Sequence, residues 1–125
     1  MSMIEHRWED HGLVRRHDGV VSLNDIAQSD SNVQDDPRFH GIDFVIDDFL
    51  GCRNVVDIDM SVVDELAAFE GLEVRVPQVF RHAVVTTSPV VSALYDEFAN
   101  SGYLTYPLRT FQHMTDARQW VAAES

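Results

Sequence analysis

RHAVVTTSPVVSALYDEFANSG, residues 81–102, decides how the chain folds. Ala83-Val84-Val85-Thr86 is a short run of branched and small side chains, the composition of a buried strand. Thr86-Thr87-Ser88-Pro89 then hands over to a helix. Ser88 supplies its N-cap, Pro89 its first-turn proline, Leu94 and Phe98 its apolar face, and Asn100-Ser101-Gly102 its stop. Tyr103 to Leu108 resumes strand character, and Ala117, Trp120 and Val121 give a last helix its stripe. Strand, helix, strand, helix over Arg81 to Glu124 predicts an α/β fold with a parallel sheet.

The upstream half fits the same plan. Ile4 to Trp8 and Leu13 to His17 flank the polar turn Glu9-Asp10-His11-Gly12, which predicts an antiparallel hairpin. Asp18-Gly19 turns the chain into Val20-Val21. Ser22 then caps a helix to Asp35 carrying Leu23, Ile26 and Val33; its Ser-rich second half is expected to be weak, and Asp36-Pro37 stops it. Ile42 to Phe49, between two glycines, reads as a buried strand. Gly51 to Asp57 reads as a loop, and Ser61 to Phe69 as a helix opened by Ser61-Val62-Val63-Asp64 and closed by Gly71. Glu73 to Val76 alternates like an edge piece cut short by Pro77. The expected architecture is one domain over residues 1–125: an N-terminal hairpin, then βαβαβα, with a mixed, mostly parallel sheet and four helices.

Composition bounds the function. With 45% hydrophobic residues, 125 residues build one core without disulfides or metals, and the one cysteine, Cys52, cannot form an internal disulfide. No apolar stretch approaches a membrane span, and Met1 to Arg7 lacks a signal-peptide core, so a cytoplasmic protein without a transmembrane segment is expected. All nine basic residues are arginine, against twenty-one Asp and Glu, for a formal charge of −12. That field repels phosphate backbones, which argues against nucleic acid; it suits solubility or a basic protein partner.

In order of elements the chain resembles the STAS and SEC14-like small domains, the fold of the bacterial anti-sigma factor antagonists. It is more closely similar to a group of uncharacterised bacterial proteins described as STAS/SEC14 domain-containing. The resemblance is carried by Gly12-Leu13-Val14, Asp18-Gly19-Val20, Asp36-Pro37-Arg38-Phe39, Val45-Ile46-Asp47-Asp48-Phe49, Ala83-Val84-Val85-Thr86, Phe111 and Ala117 to Trp120. It spans nearly the whole chain. In the antagonists an Asp-Ser-Ser-Gly stretch opens a helix and its second Ser is the regulatory phosphorylation site. The matching stretch here is Asp59-Met60-Ser61-Val62, which keeps Asp59 and Ser61 and departs at Met60 and Val62. Asp57, Asp59, Asp64 and Glu65 around Ser61 oppose added negative charge, and an ordinary N-cap is the simpler reading of Ser61.

Two further places hold chemistry-bearing residues. Asp47-Asp48 ends a buried strand, where ligands gather in open α/β sheets; a carboxylate there suits Mg²⁺ or acid–base work, but alternation along a strand sends the two to opposite faces. Thr87 and Ser88, beside Thr86 and Pro89, open a helix and suit a small anion, although the glycines and Lys of a phosphate loop are missing. Histidines 6, 11, 17, 40, 82 and 113 show no metal-binding spacing. Trp8, Phe44, Phe49, Phe98 and Trp120 read as core aromatics, or as the lining of an apolar pocket if the SEC14 likeness extends to ligand binding.

The leading expectation is a non-enzymatic regulatory module without cofactor or metal that binds a protein partner. The alternative is a small apolar-ligand or lipid-binding domain, and a third reading is a metal-assisted enzyme using Asp47 or Asp48. Pairing of the hairpin edge or of Glu73 to Val76 across a twofold axis makes a homodimer a further expectation.

Overall fold

A computed structural model describes residues 4–57, 80–101 and 106–123. Among the described residues there are seven strands: β1 Ile4–Trp8, β2 Gly12–His17, β3 Gly19–Ser22, β4 Phe44–Asp48, β5 Cys52–Val56, β6 Arg81–Val85 and β7 Leu108–Phe111. Three α-helices accompany them, α1 Leu23–Asp35, α2 Pro89–Asn100 and α3 Met114–Ala122, together with a 3-10 turn at Pro37–Gly41. The main sheet has the order β1-β2-β4-β6-β7; β1 pairs antiparallel with β2 and every other ladder is parallel. The expected hairpin and the mixed, mostly parallel sheet are both there.

Several expectations need correction. Gly51 to Asp57, read as a loop, contains β5, and Val20-Val21 lies in β3; the two strands pair in parallel as a second, two-stranded sheet. They follow β2 and β4, so the same two chain segments pair twice, on either side of a break where Gly19 takes a φ of 71° and its N–H donates to Gly51 O at 3.0 Å. β5 escapes notice because it buries only Val55 and exposes Arg53 and Asn54, leaving no alternation to read. Of the strand expected at Tyr103 to Leu108, residues 103–105 lie outside the described residues, and β7 begins at Leu108, past Pro107, whose carbonyl accepts from His82 N–H. Of the four expected helices, three are seen among the described residues; Ser61 to Phe69 and Glu73 to Val76 lie outside them.

α1 and α2 begin where their capping residues predict. Ser22 accepts from Asp25 N–H, and the Asp25 carboxylate accepts from Ser22 N–H, closing a capping box. Ser88 accepts from Val91 N–H with Pro89 in the first turn. The second half of α1 does not break, because Ser29 and Val33 are both buried there. α1 and α2 pack with Phe49, Val55 and Val84 in one cluster, through Leu23, Ile26, Val91, Leu94 and Phe98. α3 joins a second cluster with Val14, Ile46, Ala83 and Val85 through Ala117. Arg81 Nη1 caps the end of α3, donating to Trp120 O at 2.6 Å and Ala123 O at 2.5 Å, where the helix dipole favours a cation. Arg118 ties α3 to the hairpin turn through a two-pronged pair with Glu9 at 2.7 and 2.8 Å. No helix among the described residues is long and apolar enough to cross a membrane.

Candidate functional site

The most unusual feature of the sheet is a set of charged and polar side chains sealed inside it. Register places Arg15 of β2 beside Asp47 of β4, on the face that carries Leu13 and Val45. His17 follows two residues after Arg15, and His82 of β6 lies opposite Val45. Asp47 is 0% exposed, and Arg15, His17 and His82 are buried with it.

Every lone pair of Asp47 is engaged. Oδ1 accepts from Arg15 Nε at 2.6 Å and from His17 Nε2 at 2.9 Å; Oδ2 accepts from Arg15 Nη2 at 2.7 Å and from His82 Nε2. Four bonds fill the carboxylate's accepting capacity and place Nε2–H on both rings. The other arm of Arg15 reaches α1, where Nη1 donates to Asp30 at 2.5 Å and to Ser29 Oγ at 3.2 Å. Ser29 Oγ in turn meets His6 Nε2 of β1 at 2.6 Å, a bond whose direction follows the His6 tautomer. One connected network thus joins β1, β2, β4, β6 and α1. His17 is further held by stacking on Phe49, centroids 4.0 Å apart and planes within 6°, and its Nδ1 is buried without a hydrogen-bond partner among the described residues.

Burial alone would raise the Asp47 pKa, but the Arg15 charge, with the bonds from His17 and His82, outweighs it and holds the carboxyl well below the usual range. Arg15 is the mirror case: burial opposes its charge, and Asp47 and Asp30 more than restore it. His6 is lowered by burial and then by the nearby Arg15 charge. Asp47 and His6 therefore bind protons more weakly folded than unfolded, and stability falls as pH falls. The His6 contribution is present above its unfolded value of about 6.5 and lost as pH drops through its folded value. The Asp47 contribution is present above about 3.9 and lost only in stronger acid. In urea unfolding, wild type is expected to lose stability faster than His6→Gln as pH falls below about 6.5. Parallel declines would contradict this.

Asp48, next to Asp47, points away as strand alternation requires; it accepts from Leu50 N–H at 2.9 Å and lines a 160 Å³ surface cavity with Glu5, Arg7, Val14, Arg16, Met114 and Arg118. Thr87 and Ser88 line a polar cavity of about 370 Å³ with Thr86, Ser92 and Gln112, where Thr86 Oγ1 accepts from Ser88 N–H and Ser88 Oγ from Val91 N–H. Asp59 and Ser61 lie outside the described residues. An apolar cleft bordered by Arg15, Val33, Phe39, Phe80, His82 and Tyr106 holds about 30 Å³, room for one water. Phe39, Phe49, Phe80 and Phe98 are buried by packing, so an apolar ligand at this cleft would require Phe39, Phe80 and Tyr106 to part.

No protein-family model and no curated protein matches the sequence. Solved structures do. The anti-sigma factor antagonist SpoIIAA in its unphosphorylated form superposes with a TM-score of 0.62 over 97% of this chain and 99% of its own, at 13% identity. The chain has the STAS fold. The phosphorylated form of SpoIIAA, a Bacillus cell fate determinant, gives 0.59 over 94% and 98% at 15% identity. An uncharacterised DUF3478-family protein from Shewanella loihica PV-4, with a SpoIIAA-like fold, gives 0.55 over 95% and 92% at 15%. In this STAS fold, the Arg15–Asp47 pair sits at the β2/β4 ladder, and no group of three or more His, Cys, Asp or Glu among the described residues is arranged to hold a metal ion.

Sequence reading singled out Asp47 but not its partners. Arg15, His17 and His82 are 32, 30 and 35 residues away, and only the parallel pairing of β2, β4 and β6 brings them together. One signal was available: Arg15 and His17 continue the alternate positions that start at the apolar Leu13, the face of β2 that turns into the core.

Proposed function

We propose that the chain is a non-enzymatic regulatory domain that works in the cytoplasm by binding a protein partner. The observation that carries this reading is the end-to-end correspondence with an anti-sigma factor antagonist, in both its unphosphorylated and phosphorylated forms. The geometry of Asp47 supports it: the buried carboxylate best placed for acid–base or metal chemistry spends all four of its lone-pair directions on Arg15, His17 and His82. In this reading Asp59 and Ser61 form the regulatory contact that the resemblance implies.

The partner would be basic, to match a formal charge of −12. Among the described residues, half-exposed apolar side chains stand near the end of β6: Leu50 follows Phe49, whose N–H donates to Val85 O at 2.9 Å, and Val90 opens α2. Apolar anchors within an acidic surface suit a partner held by a small hydrophobic contact and steered by charge. A partner captured from the native cell, identified and purified, is expected to bind with a Kd that weakens at least tenfold between about 0.05 and 1 M salt. Leu50→Ser and Val90→Ser should weaken it further without changing the unfolding midpoint. Salt-insensitive binding, or binding unchanged in both variants, would overturn the reading.

A further inference from the structure

Strand β1 is an edge of the main sheet among the described residues, and its centre, Glu5-His6-Arg7, is exposed. An edge of unpaired backbone groups is a template for another strand unless something blunts it. Charged side chains usually do so by repelling a second copy. Here the charges have opposite signs and lie symmetrically about His6.

The backbone agrees with that symmetry. In the hairpin, Glu9 N–H donates to Gly12 O at 2.8 Å, and the register runs Trp8↔Leu13, Arg7↔Val14, His6↔Arg15, Glu5↔Arg16. Antiparallel ladders alternate between bonded and non-bonded pairs. Arg7 and Glu5 therefore spend their backbone groups on β2, whereas the N–H and C=O of His6 point away from β2, toward the open side. We propose that β1 pairs with β1 of a second copy of this chain, antiparallel about a twofold axis at His6, so that Glu5 of each copy lies opposite Arg7 of the other.

This register has two consequences. The two His6 residues exchange N–H···O=C bonds across the axis. Glu5 and Arg7 of the other copy fall in a non-bonded pair, where side chains approach most closely. Locally the edge also escapes the acidity of the whole chain, because Arg16 stands beside Glu5 on β2 and Arg7 is next to it in the same surface cavity. The inference does not depend on the proposed regulatory function, since it concerns a different edge of the molecule from Leu50 and Val90.

Sedimentation of the full chain over a concentration series up to about 1 mM tests it. The wild type is expected to dimerise; Glu5→Arg and Arg7→Glu, each placing like charges opposite, should raise the dimer Kd about tenfold, and the double variant E5R/R7E should return it to within about threefold of wild type. Both residues are exposed, so the single variants should keep the wild-type circular dichroism, and recovery in the double variant separates register from misfolding. A wild type that stays monomeric, a dimer indifferent to both single reversals, or a double variant that fails to recover would each overturn the proposal.

Discussion

Asp47→Ala is expected to cost about 3–5 kcal/mol of folding stability, the range seen when one member of a buried ion pair is removed. The loss is that large because it strands several groups at once. Arg15 keeps its charge inside the sheet with only Asp30 and Ser29 for partners, and the Nε2 donors of His17 and His82 lose their acceptor. Each buried donor left unmatched costs about 1–3 kcal/mol by itself. Against the roughly 5–15 kcal/mol of an ordinary domain, the variant should be partly unfolded at ambient temperature. Equilibrium urea unfolding measures this directly. Asp30→Ala removes the outer partner of the same guanidinium and should cost much less, because Asp30 lies nearer solvent and Arg15 keeps both bonds to Asp47.

Phe49→Ala should be nearly as damaging, at about 3–5 kcal/mol for a buried phenylalanine. Its ring is sandwiched between His17, stacked at 4.0 Å, and Tyr95, at 5.6 Å, and it belongs to the cluster that joins α1 and α2 to the sheet. Removing it opens a hole beside a histidine that is already short of one partner, so the effect should reach Asp47 through His17. NMR of the His17 ring protons checks the coupling: they should move downfield once the stacked ring is gone. Phe49→Leu fills most of the volume and should cost markedly less. Equal costs for the two variants would show that packing at this point is not what matters.

Local chemistry made much of the fold legible before any coordinates. The hairpin around Glu9 to Gly12, the capped starts of α1 and α2, and the apolar runs that became β4 and β6 announce themselves within a few residues. β3 and β5 did not, because a two-stranded ladder with Asn54 and Arg53 exposed has no pattern separable from a polar loop. β7 was misplaced because Tyr106 looks like a strand residue, yet its ring is used to stack on Phe80, and the ladder begins only after Pro107. The site was half legible. Strand alternation correctly split Asp47 from Asp48, but Arg15 was not singled out among the charges of the hairpin. Nothing local distinguishes a buried arginine from a surface one; the distinction arises when β2 takes a central place in the sheet, with β1 on one side and β4 on the other.

Arg15 and Asp47 act as a unit that holds the sheet together. A double-mutant cycle with Arg15→Met, Asp47→Leu and the combined variant measures that most directly. Each single change leaves groups stranded in the core, whereas the combined change replaces the ion pair with apolar side chains, which buried pairs often tolerate. The predicted result is a combined variant more stable than Asp47→Leu alone. A combined cost equal to the sum of the two single costs would contradict it.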